Sequence, residues 1–254
     1  MLLGLVFDSL RIDKTPFKWV IRFMFAAVFI LTAYLFLSPF GDSDFSALIS
    51  WMNDISDATV YDAYVKFYSD MPLTDGNLLY IFQYILIAGL YLFTCVISNS
   101  LYIRAFLKPA ARPSVIKVIL RSILLTLFLS FVILLLINLI YYAAIFILPI
   151  LAVFSSCYVS GDFSFGRSFK NTFKFLKRAY FPSVSYSFFI VIMIGIVGFL
   201  LYFLSGSGMN TALVKILTAA FLTYSSLIAG RASGINYIFI SGPVQHKKRE
   251  EKSS

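Results

Sequence analysis

The sequence predicts an all-α, polytopic transmembrane helix bundle, and three observations predict it. Apolar residues make up 60% of the 254 positions and charged residues only 13%. A soluble domain carries about 45–50% apolar and about 25% charged residues, because it must cover itself with polar groups. Mean hydropathy is +0.87, and the apolar residues fall in runs long enough to cross hydrocarbon. The 21 Lys and Arg residues gather in a few short segments between those runs, the distribution that orients a membrane protein. Together these features exclude a soluble enzyme, a nucleic-acid module and a disulfide-stapled secreted domain. The chain reads as a single integral membrane domain over 1–254.

A crossing helix needs about 20 apolar residues, since hydrocarbon is about 30 Å thick and each residue rises 1.5 Å. The first run, 17–38, is longer than a signal peptide's apolar region, and no small-residue cleavage site follows it. It is expected to be an uncleaved span. A polar segment then carries seven aspartates, from Asp42 to Asp75, against the single Lys66. Within 43–68, Phe45, Leu48, Ile49, Met52 and Ile55 recur at three- and four-residue intervals. That spacing predicts helix lying on the membrane surface, with Trp51 as its anchor. The aspartate spacing matches no calcium loop and reads as a solvated acidic face.

The second span is expected near 78–99. After it come Arg104, Lys108, Arg112, Lys117 and Arg121, with Pro109 and Pro113 breaking the helix. The next 39 residues, 122–160, contain no charge. As one helix they would extend about 58 Å, nearly twice the hydrocarbon thickness. They are therefore read as two spans, 122–140 and 142–160, turning near Asn138–Tyr142 and carrying Pro149 in the second. Basic flanks on both sides give the same even count.

The segment 163–181 has the clearest period. At about 100° per residue, Phe165, Phe169, Phe173, Leu176 and Tyr180 share one side. Arg167, Lys170, Lys174, Lys177 and Arg178 share the other. Such a helix lies in the interface with its rings among acyl chains and its cations among phosphates. These five cations are the expected contact with lipid headgroups, anionic ones above all, or with an acidic face of a protein partner. Spans near 183–204 and 211–231 follow, joined at Ser205–Asn210. The apolar character continues to Ile240, so a break is expected at Gly230–Gly234, with Arg231 reaching the interface from the end of its span. Were the helix unbroken, Arg231 would lie deep and be the leading functional residue. Gly230 and Gly234 also form a Gly-x-x-x-Gly spacing, short and commonly accidental. The tail, 246–254, is charged and expected to lack order.

Six spans put both ends on one side. The terminal segments and two inner loops then hold four, five, five and five cations, 19 of the 21, leaving only Lys66 and Lys215 elsewhere. By the positive-inside tendency that side is the cytoplasm of a cell membrane.

Chemistry-bearing residues are sparse. All 12 acidic residues lie outside the expected spans, and the one histidine, His246, sits in the tail. Intramembrane hydrolysis needs a base or metal ligands at the reacting bond, so neither catalytic residues, a cofactor nor a metal site is expected. Cys95 and Cys157 lie within apolar runs and read as packing. The leading expectation is a non-enzymatic membrane component that organises lipid or a partner complex. A competing one is a small transporter or permease subunit with a polar path past Asn138, Ser225, Ser226 and Arg231.

From Pro149 onward the order of features is a proline-bearing span, Gly161-Asp162, Ser168-Phe169, Lys174-Phe-Leu-Lys177 and Phe181, then a long hairpin. This order resembles the six-pass prokaryotic membrane proteins related to the membrane domain fused to some glycerophosphodiester phosphodiesterases, over roughly 115–240. The resemblance implies a prokaryotic integral membrane protein. The phosphodiesterase catalytic domain has no counterpart here, so its hydrolysis is not implied.

Overall fold

The computed structural model describes the backbone of residues 2–14, 17–56, 59, 61–62, 65, 71–106, 114–139, 144–160, 164–177, 179–207 and 210–253. Side chains are described for the same residues except 2–3, 134–139, 144–145 and 242–253. Among the described residues the chain is helical, without strands. Its helices are α1 (Leu2–Leu10), α2 (Lys18–Leu37), α3 (Ser46–Ser56), α4 (Asp75–Phe106), α5 (Val115–Leu139), α6 (Ala144–Val159), α7 (Phe165–Leu176), α8 (Tyr180–Gly206) and α9 (Thr211–Ser253), with a 3-10 turn at Ile12–Lys14.

Five of them, α2, α4, α5, α8 and α9, are long and apolar enough to cross a membrane. They form a transmembrane bundle around α9, which packs on α2, α4, α6, α8 and α1. Large apolar side chains cover the outside: Phe23, Phe199 and Tyr202 are each exposed. Such an apolar exterior suits a bundle surrounded by lipid.

Helices extend past the apolar runs that predicted them. α4 has 32 residues, about 48 Å, because its last turns keep packing on α9 after the hydropathy falls. The expected break at Gly230–Gly234 is absent, and α9 runs through it. The glycines serve another purpose. A Cβ on Gly230 would sit 2.2 Å from the Cys95 carbonyl oxygen of α4, and one on Gly234 would sit 2.7 Å from the Tyr102 ring. They let two backbones touch, the close approach that small-xxx-small spacing permits. Ser98 Oγ donates to the Leu227 carbonyl across this seam at 3.0 Å.

α6 is the element that differs most from its expected span. It has 16 residues, with Pro149 inside, and a length of about 24 Å. Its first turn meets the start of α8, where Tyr180 OH donates to the Phe146 carbonyl at 2.7 Å. Near its other end, Ser156 Oγ reaches Asn99 of α4 and the Ser233 carbonyl of α9. Ser183 and Asn236 mark that same end of the bundle, so α6 does not run the bundle's length as the long helices do. The pair α5–α6 still leaves from and returns to one end. The turn expected at Asn138–Tyr142 lies outside the described side chains.

The two ends of the bundle differ in charge. At the acidic end, Gln83 is buried and closes α2: its Nε2 donates to the Leu35 carbonyl, and its Oε1 accepts from Phe40 N at 2.7 Å. Asn77 Nδ2 donates to the Asp42 and Asp44 carbonyls at 3.1 and 2.9 Å, strapping this loop to the start of α4. The Ser46 backbone N–H, then its hydroxyl, hold the exposed Asp44 carboxyl below its ordinary value and start α3. α3 itself buries no residue in the bundle, and Ile49 and Met52 remain exposed, as a helix resting on a membrane surface requires.

Candidate functional site

The opposite, basic end holds the chain's one ion pair among the described residues. It begins with α1, a nine-residue helix whose Val6 packs with Tyr186, Ile190, Ile228, Ala232 and Ile235 of α8 and α9. That docking brings Asp8 to Arg231, 223 positions away. Arg231 Nη2 lies 3.2 Å from Asp8 Oδ2, and its Nε donates to the Asp8 carbonyl at 3.0 Å. The guanidinium also sits 5.0 Å above the Tyr102 ring, a cation–π contact. Ser9 Oγ and Tyr186 OH form a second tie beside it, and Tyr224 OH donates to the Leu10 carbonyl at 2.9 Å.

Arg231 is only 2% exposed. The expectation that it reaches out to the interface is therefore corrected: the helix is unbroken and the side chain turns inward. An unpaired guanidinium there would cost several kcal/mol. Here a carboxylate, a carbonyl and a ring compensate it, so reaching the interface gains nothing. Asp8 is 41% exposed at its side chain. The geometry is that of a latch with one buried and one accessible half. These contacts hold the amino-terminal helix against α9.

α7 forms the other half of this end. The sequence expectation of a two-faced helix is refined to three faces. Ser168, Thr172 and Leu176 are buried, and this seam packs on α6. Small side chains let α7 approach closely, and the hydroxyls of Ser168 and Thr172 stay satisfied by bonds to the Ser164 and Ser168 carbonyls at 3.0 and 2.8 Å. Next around the helix come Phe165, Phe169 and Phe173, each about half exposed. Phe165 stacks edge-on with Phe128 and Phe154, both at 5.1 Å. Arg167, Lys170, Lys174 and Lys177 occupy the third face and are exposed. Arg178 lies outside the described residues. The backbone turns after Leu176, where Ala179 N donates to the Leu176 carbonyl at 3.0 Å, and α8 starts at Tyr180. Thus α7 is a cationic rod fixed to the bundle by its narrow polar side.

Among the described side chains of the expected polar path, Ser225 and Ser226 do not converge with Arg231. Ser225 Oγ and Ser226 Oγ donate to the Leu222 and Thr223 carbonyls of their own helix at 3.1 and 2.8 Å. The space lined by Ser226, Thr223 and Thr32 measures about 10 Å³, at the lower limit for one water. Arg231 belongs to the latch, and the Asn138 side chain is outside those described. Asn99 and Ser156, which bond each other at 3.0 Å, tie α4 to α6 as interhelical hydrogen bonds do. Among the described residues no three His, Cys, Asp or Glu side chains come together to hold a metal ion.

Sequence reasoning missed α1. Its signal was present: Leu5, Val6, Ser9 and Leu10 recur at helical spacing beside an acidic Asp8, but nine residues are too few to stand out next to 20-residue runs. The seam on α7 was missed because serine and threonine carry no apolar signal. No family description matches this chain, nor does any curated protein or any solved structure.

Proposed function

We propose that the protein is a non-enzymatic, integral component of the cell membrane that gathers anionic lipid at its basic end. Its two ends and α7 face the cytoplasm, and the chain makes an even number of passages. One observation carries this reading: α7 is clamped by Ser168, Thr172 and Leu176 while Arg167, Lys170, Lys174 and Lys177 remain exposed. A helix that served only to start the next span would have no need of a rigid mount. Fixed in place, its phenylalanines set the depth among acyl chains and its cations line up with phosphates, each worth about 1 kcal/mol near an anionic surface. The relation to the membrane domains that the sequence resembles over 115–240 belongs to the same reading.

The test is lipid composition. The full chain is reconstituted in discs of mixed phosphatidylcholine and phosphatidylglycerol, extracted with its bound lipid, and the headgroups are counted. Wild type should be enriched in phosphatidylglycerol. Lys170→Glu/Lys174→Glu/Lys177→Glu should abolish the enrichment. An unchanged ratio would remove α7 as the lipid contact.

A further inference from the structure

A groove of about 340 Å³ opens on the bundle's flank at the basic end, between the 3-10 turn, α2 and α9. Beside it α2 begins just after Phe17, whose φ of 64° and ψ of 45° are left-handed. A phenylalanine rarely adopts that conformation, and such residues recur where a site is being shaped. The apolar wall is Ile12, Ile21, Phe25 and Tyr224. Tyr224 is held in place by its bond to the Leu10 carbonyl. The charged lining is Asp13, Lys18 and Arg22.

The order along α2 is informative. Lys18 comes first, Ile21 and Arg22 one turn on, and Phe25 one turn deeper, so the groove changes from cationic to apolar as it enters the bundle. Trp19 is 80% exposed and lies 5.4 Å under the Arg22 guanidinium. An exposed tryptophan at a span's end marks the headgroup level, which puts both cations among phosphates. No side chain caps the start of α2, so its positive dipole end adds to theirs. The size is at the small end of ligand sites, enough for a headgroup and the start of one acyl chain.

We propose that this groove holds one glycerophospholipid whose headgroup carries an N–H or O–H donor. Lys18 and Arg22 take the phosphate diester. Ile21, Phe25 and Tyr224 take the first part of an acyl chain. Asp13, which would repel a bare anion, accepts from the headgroup's ammonium or hydroxyl. Phosphatidylethanolamine and phosphatidylglycerol satisfy all three demands, whereas phosphatidylcholine offers no donor. The site uses no residue of α7 and does not depend on the lipid gathering proposed there.

The experiment is native mass spectrometry of the purified full chain with equal amounts of phosphatidylethanolamine, phosphatidylglycerol and phosphatidylcholine of matched chains. Wild type should retain one phosphatidylethanolamine or phosphatidylglycerol at energies that strip phosphatidylcholine. Each cation removed should lower that retention about fivefold, so Lys18→Ala/Arg22→Ala loses it by more than an order of magnitude. Lys18→Arg/Arg22→Lys should restore it, and Asp13→Asn should bring phosphatidylcholine level with the others. Lys170→Glu/Lys174→Glu should leave the one tightly held lipid in place, which separates this site from α7. Equal retention of all three lipids by wild type, or undiminished retention by the double alanine variant, would overturn the proposal. So would a dimer that survives the loss of all lipid, since a second copy would then occupy the groove.

Discussion

Asp8 and Arg231 test what one buried charge requires. Arg231 is closed off while Asp8 is accessible, so the two substitutions are unequal. Asp8→Ala takes the carboxylate away from the buried guanidinium, which keeps its bond to the residue 8 carbonyl and its contact with the Tyr102 ring. About 1–3 kcal/mol of destabilisation is expected, the usual cost of stranding a buried polar group. In an Arg231→Met background the same change should cost close to nothing, because there is no charge left to strand. Thermal unfolding in detergent of the two single variants and the double variant reads this non-additivity, and simple additivity would deny the latch. The sequence made Arg231's importance conditional on an unbroken helix, which was the right question. It could not answer because glycine spacing is equally consistent with a break and with close packing. Nothing along the chain links position 8 to position 231.

Helices are where the sequence was most legible and where its omissions have the plainest causes. α2 begins and ends within one residue of its apolar run, because solvent on one side and lipid on the other set both limits. α4 and α9 overshoot, since protein neighbours keep them helical after lipid has stopped. The glycine seam gives a sharp expectation. Gly230→Ala places a Cβ against the Cys95 carbonyl, backbone that cannot move aside, and should cost at least the 1–3 kcal/mol of an overpacked core. Gly195→Ala in α8 meets nothing within 4 Å and should be neutral or slightly stabilising. Equal melting temperatures for the two variants would mean that α4 and α9 are not in contact. On α7 the cations and rings could be read from their period. The mounting face could not, because Ser168 and Thr172 look like surface residues until a neighbour covers them.

At the scale of the molecule, α5 and α6 decide how the chain is distributed between the two ends. α6 has only 16 residues, and Arg121 Nη1 of α5 donates to its Tyr158 carbonyl at 2.8 Å, so the start of α5 lies beside the close of α6 at the basic end. α1, the close of α4, α7 and the α9 residues beyond Arg231 all gather at that end. The latch, the cationic rod and the proposed lipid groove share that end with Asp8 and Asp13, while Asp42, Asp44, Asp54 and Asp75 lie at the other. The most direct measurement is labelling of single cysteines by an impermeant maleimide in intact cells. Asp54→Cys on α3 should react from outside. Lys170→Cys on α7 should react only after the membrane is opened. Labelling of Lys170→Cys in intact cells, with Asp54→Cys protected, would contradict the assignment of the basic end to the cytoplasm and the lipid reading built on it.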